Sequence, residues 1–325
     1  MSAVFRRKAG GNYGFVRFTM LTRTSSGDFG RRHAKQSKQF RFWISLARIW
    51  PSNPADAVVD SHLLLSEWVV QYLTYRGVSR VLLAIERDLL NGLASLHKYF
   101  IILRDSQQYH STETPVLVAT EMEYAFGNHR SFYDLLHRLV SCVYGIGTKK
   151  EERVDLGESF AKAAQKGTEF LTGRYHLPAP LVAFYGQRLD HFMALREIRD
   201  GVYHRGFSFD GVLVLPEGFA IRQDDNLHQR LETLDIWDKG QVRGNGAVSL
   251  LPILAYLVDD MCEVMAELSG ALSQSFMTLP DPMFPGYHLY LRSPLTRHLN
   301  NLHLHREKPW HTASEVMSIL QGSYG

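Results

Sequence analysis

Arg199, Asp200 and His204 are the residues whose types and spacing could do chemistry. An arginine, a polar residue directly after it, three more residues and a histidine place a permanent cation and a titratable imidazole close together on one helix. A guanidinium grips phosphate through its planar fork of donors. An imidazole has an ordinary pKa of about 6.5, so it can take or give a proton near neutral pH. Together the two groups can break a ribose-phosphate linkage without a metal ion. Asp200 and His204 are four apart and share a helix face, so the carboxylate can accept a hydrogen bond from one ring nitrogen and fix the tautomer. Arg199 and His204 are five apart and diverge by roughly 140° on a regular helix. One copy does not easily aim both at one phosphate, whereas two antiparallel copies meeting at their ends could. Tyr203, Arg205 and Arg196 flank the pair as candidate contacts to a base or phosphate. A helix that simply ends in a salt bridge and a solvated histidine has the same spacing.

The element that must position these groups is an amphipathic helix. Tyr185, Leu189, Phe192, Leu195, Ile198 and Val202 step by four and three, the period of a buried helical stripe. Pro180 opens the helix where a missing N–H costs nothing. Gly206 is a helix stop, which puts the motif in the last turns, where the helix dipole favours positive charge. Gly201 weakens the helix by about 1 kcal/mol relative to Ala and allows another chain or a ribose to approach closely.

These residues resemble the HEPN superfamily (higher eukaryotes and prokaryotes nucleotide-binding domain). Its motif is Arg, often Asn, His or Asp next, three variable residues, then His. Arg199, Asp200, Gly201, Val202, Tyr203 and His204 match it without departure, and Leu195, Arg196, Ile198, Arg205 and Gly206 extend the likeness. The specific likeness covers residues 180–207; the helices before it fit by order and length. The resemblance implies a helical bundle that dimerises and, in active members, a metal-independent endoribonuclease. On that implication Arg199, His204 and Asp200 are catalytic, while Tyr203, Arg205 and Arg196 bind substrate. His204 would act as general base on a ribose 2′-hydroxyl or as general acid on the leaving 5′-oxygen. Arg199 would stabilise charge growing at phosphorus, and Asp200 would orient His204. The product would end in a 2′,3′-cyclic phosphate, and DNA would be inert. The resemblance further implies RNA and a second copy as partners, with an antitoxin or another protein where the chain is a toxin or defence nuclease. No cofactor and no metal are expected. Some members keep the fold without activity, so a non-catalytic module binding RNA, nucleotide or protein is the alternative. A helical structural protein with an accidental motif is the third reading.

Composition sets limits around this. The chain has 325 residues, 45% hydrophobic and 21% charged, which is ordinary globular usage. Two cysteines, Cys142 and Cys262, lie in apolar helical runs and read as reduced core residues of a cytoplasmic protein, with no disulfide framework or zinc set. No apolar run reaches the roughly 18 residues of a membrane span. The charge is uneven: residues 1–50 hold eleven Lys and Arg against Asp28 alone, so the rest of the +3 chain is acidic. That basic segment reads as a nucleic-acid-binding arm, an organellar transit peptide, or a flexible tail. Phosphate loops, dinucleotide fingerprints, His-Glu-x-x-His and Gly-x-Ser-x-Gly are absent from the sequence. The close carboxylate pairs, Glu121 with Glu123 and Asp259 with Asp260, lack metal-site spacing and read as solvated faces.

The expected fold is mainly α, with a basic arm over residues 1–54, a helical domain over 55–278 and a tail of short helices over 279–325. Helices are expected from Asp60 or Ser61 to about Tyr75, near 80–104 after a break at Gly77, near 119–144 after an interruption at Pro115, near 156–171, and then the motif helix. A small hairpin follows at 211–221, then a polar stretch with a short helix, then a long helix from Ala247 to Phe276. The tail carries His288, His298, His303, His305 and His311, read as a solvated cluster rather than a metal site.

Overall fold

The computed structural model describes residues 16–18, 40–42, 47–51, 61–62, 76–109, 112–147, 156, 159–204, 211–223, 226–237, 241–276, 287–291 and 295–322. Among these the chain is mainly α, with small antiparallel sheets. Two long helices, α1 (Arg76–Tyr109) and α2 (Thr114–Gly147), lie side by side and antiparallel, as the contacts Ser95 to Glu121 and Asn128 to the Asp88 carbonyl require. On α1 the expected stripe Leu82, Ile85, Leu89, Leu93, Leu96 and Phe100 is buried throughout. The helix begins earlier than expected and contains Gly77, which faces Cys142. Pro115 does not interrupt α2; it sits in its first turn, where its missing N–H is harmless.

Two short helices follow, α3 (Phe160–Gln165) and α4 (Gly167–Gly173). One helix was expected here, and Gly167, with φ at +78°, splits it. The motif helix α5 (Ala179–His204) then runs antiparallel to α2, with His137 meeting Tyr185, Tyr133 meeting Phe192 and Arg130 reaching Asp200. Tyr185, Phe192, Leu195 and Ile198 of its stripe are buried.

The hairpin after the motif helix is β5 (Leu213–Leu215) paired antiparallel with β6 (Gly218–Arg222). It gains a third strand, β7 (Ala247–Ser249), where the sequence had suggested the start of a helix. The reason lies in pairing: Ala247–Ser249 extends the sheet against β6, and the Ser249 hydroxyl then accepts from the Leu251 N–H as the chain turns into its helix. Gly218 fits because a Cβ there would meet the Tyr99 hydroxyl at 3.0 Å and Trp310 at 3.2 Å. The expected short helix of the intervening stretch is α6 (Asn226–Leu231).

Helix α7 (Leu251–Phe276) is apolar on nearly all faces, with Leu251, Ile253, Leu254, Leu257, Val258, Met261, Val264 and Leu268 all buried. A helix apolar all round must be surrounded, and α7 packs against α1, α2, α5 and α8 (Leu302–Glu307). Helix α9 (Ala313–Gln321), opened by a capping box of Thr312 and Glu315, closes on α1. None of the described helices is long and apolar enough to cross a membrane.

Four remaining strands are β1 (Val16–Phe18), β2 (Phe40–Phe42), β3 (Ala47–Pro51) and β4 (Ser61–His62), and the eighth is β8 (Tyr287–Leu291). β1 pairs with β2, and β8 sits between β3 and β4. Strands thus occur within the segment read as a flexible arm. Ser61, expected to cap a helix, instead pairs with Leu291; the rest of that expected helix lies outside the described residues.

Three histidines of the C-terminal segment, expected to be solvated, are not. His298, His305 and His311 are buried and gather with His97 of α1 around the Phe100 ring. His97 Nδ1 lies 3.2 Å from His298 Nε2, and His298 Nδ1 lies 3.3 Å from His305 Nε2. A neutral imidazole has one donor and one acceptor nitrogen, so such a chain is satisfiable without charge. His303 is exposed, as expected, and the side chain of His288 lies outside the described residues.

Candidate functional site

Helix α5 delivers the motif to its own C-terminal end. Arg199 and Asp200 are each partly exposed, with side chains 21% and 28% accessible. The Arg199 Nη1 donates to Asp200 Oδ1 at 2.7 Å. Arg196, one turn earlier, places Nε 3.4 Å from Oδ2. A third guanidinium comes from another helix: Arg130 of α2 places Nη1 3.7 Å from Oδ1. Burial pushes the Asp200 carboxyl up, but the Arg199 hydrogen bond and the charges of Arg199, Arg130 and Arg196 outweigh it and hold the group below its ordinary value. The carboxylate is therefore ionised near neutrality, and three cations share it.

The other motif residues follow from α5's end. His204 is its last residue, and Gly201 is buried within it. The side chains of Tyr203 and His204, and all of Arg205, lie outside the described residues. The structure thus brings together Arg196, Arg199 and Asp200 of the expected set and adds Arg130. The expected part of Asp200 was to orient His204. Its described partners are arginines, on both of its oxygens. Glu197, on the far side of the turn, pairs with Arg230 of α6 at 2.9 Å and ties the motif helix to the polar stretch.

A second cluster lies deeper, and the sequence reading missed it. Asp260 of α7, expected on a solvated face, is buried. His129 Nε2 lies 2.6 Å from its Oδ2, and the Tyr133 hydroxyl donates to the same oxygen at 2.9 Å. Arg188 Nη1 donates to Oδ1 at 3.0 Å, and His191 Nε2 makes an oblique charge contact with Oδ1 at 2.9 Å. The Tyr256 hydroxyl lies 3.3 Å from His191 Nδ1, and Arg188 extends outward to Glu263 and Glu267. Burial pushes the Asp260 carboxyl up, yet the contacts of His129 and His191 overcome it and hold the group far below the carboxylate range. Tyr133 is pushed well above its ordinary value, chiefly by burial and then by the Asp260 charge. This network locks α2, α5 and α7 to one another. Asp259, its neighbour, does face outward and pairs with Arg306 at 3.4 Å. Glu121 is engaged by Lys98 and Ser95 rather than simply solvated.

The two clusters share a root. His129 and Arg130 are consecutive on α2; the first serves Asp260 and the second reaches Asp200. Among the described residues no group of three or more His, Cys, Asp or Glu is arranged to hold a metal ion. Burial pushes the Cys262 thiol up to about 12, so it is not a nucleophile at neutral pH. What the exposed cluster can do is bind an anion: guanidiniums at a helix end, partly open to water, suit a phosphate. The chain matches no protein-family model, no curated protein and no solved structure.

Proposed function

We propose that this chain is a metal-independent endoribonuclease of HEPN type. The observation that carries the reading is the convergence of Arg196, Arg199 and Arg130 at the end of the helix that holds the Arg-x4-His motif. Arg199 binds the scissile phosphate and stabilises charge as it grows on the non-bridging oxygens. His204 takes the proton of the ribose 2′-hydroxyl as that oxygen attacks phosphorus. The bond from phosphorus to the 5′-oxygen breaks, the leaving oxygen takes a proton, and a 2′,3′-cyclic phosphate remains. Since Arg199 and His204 diverge around one helix, two subunits together form the cleft. A toxin or antiviral defence nuclease acting in the cytoplasm, held in check by an antitoxin, is the setting such a dimer fits.

The test is cleavage of a broad RNA pool in the presence of a chelator, with the product ends analysed by mass. Arg199→Ala and His204→Ala are each expected to lower cleavage by at least two to four orders of magnitude while the thermal midpoint stays unchanged. Retained cleavage in either folded variant overturns the proposal. A second reading is a non-catalytic module that binds RNA, a nucleotide or a protein. The engagement of Asp200 by arginines favours it, because that carboxylate then has less capacity left to orient an imidazole. A chain that binds RNA and leaves it intact would select this reading.

A further inference from the structure

We propose that Arg130 of α2 is a third phosphate-binding residue beside Arg196 and Arg199, so that the site takes the phosphodiester backbone of a nucleic acid on a cradle built from two helices. This rests on the reading above that the motif's site binds RNA.

The geometry begins with a mismatch of charge. Among the described residues, three guanidiniums converge on the Asp200 carboxylate. All four side chains are a fifth to a third exposed, so a ligand can reach them. Asp200 spaces the guanidiniums and keeps them from springing apart, but it does not neutralise them. A phosphate oxygen supplies what is missing. The contact of Arg130 with Asp200, at 3.7 Å, is too long for a hydrogen bond. Among the described residues Arg130 donates no hydrogen bond, and its guanidinium fork has the geometry for a planar, two-pronged grip on phosphate. A half-exposed ion pair of that length adds little to stability, so the fold gives no strong reason for an arginine there.

The base of Arg130 is nevertheless fixed. The residue before it, His129, is buried and held by Asp260. The α2 backbone at this point therefore cannot drift, while the arginine tip can swing onto a ligand. That combination, an anchored stem with a mobile charged head, is what positions a phosphate contact on a rigid helix. Arg196 and Arg199 both come from α5, so neither supplies a contact from a second helix.

The experiment measures binding of a labelled single-stranded DNA oligonucleotide, which carries the phosphates but lacks the 2′-hydroxyl and so is not cut. Affinity is followed by fluorescence anisotropy from about 50 to about 200 mM salt. Arg130→Gln is expected to weaken binding roughly three- to tenfold at the low end and to reduce the salt slope by about 1. Arg138→Gln, which removes an exposed charge from the same helix, is the control and is expected to leave both unchanged. Arg130→Lys, which keeps the charge and the fold, is expected to restore the slope but only part of the affinity, since a point charge lacks the fork. Equal behaviour of Arg130→Gln and Arg138→Gln overturns the proposal while leaving the nuclease reading intact. Binding that depends on Arg130 in a chain that never cuts RNA supports the cradle and removes the nuclease. A wild-type chain that binds no oligonucleotide overturns the cradle, while the nuclease reading still stands or falls on RNA cleavage.

Discussion

At the scale of single residues, the two aspartates Asp259 and Asp260 make opposite uses of the same side chain. Asp260 is closed off by His129, Tyr133, Arg188 and His191, so its charge is needed to hold theirs in place. Replacing it with Asn turns an acceptor into a donor that faces donors and leaves Arg188 with less compensation in a buried setting. The expected cost of Asp260→Asn is on the order of 3 kcal/mol, read as a shift in the urea midpoint. Asp259→Asn removes an exposed pair with Arg306 and is expected to cost at most about 1 kcal/mol. Equal costs at the two positions would show that the buried network does not tie the helices together. The same contrast explains what could be read beforehand. Arg196, Arg199 and Asp200 were legible as one cluster because they lie within five consecutive residues of one helix, although Asp200 was expected to serve His204 and not the arginines. Arg130 and Asp260 were not, since their partners lie about 70 residues and more away in the chain and only the crossing of helices brings them together.

Among the elements, the stripes of α1, α5 and α7 followed from their period, because burial of one face leaves its mark in every turn. Pairing of short strands leaves no such mark. Ala247–Ser249 reads as easily as the first turn of α7, and what makes it a strand is the edge of β6 beside it. The C-terminal segment shows a third case, where polar residues proved to be core. His298, His305 and His311 stay neutral because burial, chiefly, and then neighbouring charge lower them to about 2, about 3 and about 4. The groups facing them include His97, Arg297, His303 and Lys308, which lower them further, and Glu315, which opposes the shift at His311. On acidification the unfolded chain takes protons first, at about 6.5, while the folded chain refuses them. The stability these residues contribute is therefore complete above that value and falls as pH drops toward about 4. A thermal midpoint followed from about pH 7 to about pH 4.5 is expected to decline, and His305→Gln is expected to flatten the decline. The Asp260 carboxylate itself does not compete in this window, since a depressed carboxylate loses its contribution only below about 3.9. A midpoint as steep in His305→Gln as in the unaltered chain would mean that the buried imidazoles do not set it.

For the whole molecule the question is how the proposed nuclease would complete a site whose arginine and histidine stand at different positions around one helix. Along α5, Arg199 and His204 stand roughly 140° from each other around the axis. The arginine side of the cleft is assembled within one copy, from α2 and α5 together. In the proposed dimer the imidazole side comes from a second copy, and a twofold axis through the ends of two α5 helices would produce two identical clefts, each with arginines from one subunit and His204 from the other. This arrangement has a consequence that a site within one subunit lacks. Arg199→Ala and His204→Ala are each expected to be inactive alone, but a dimer made of one of each would keep one intact cleft and one doubly broken cleft. With free exchange of subunits in an equal mixture, half of the dimers are mixed and half of their clefts work, so about a quarter of the wild-type cleavage returns. The measurement is RNA cleavage by the two inactive proteins before and after they are unfolded and refolded together, with dimer formation followed by light scattering. Activity that appears only after co-refolding places the arginine and the imidazole on different subunits. A mixture that forms mixed dimers and still does not cut RNA shows instead that both groups act from the same chain, and the end of α5 would then have to unwind past Gly201 to bring them to one phosphate.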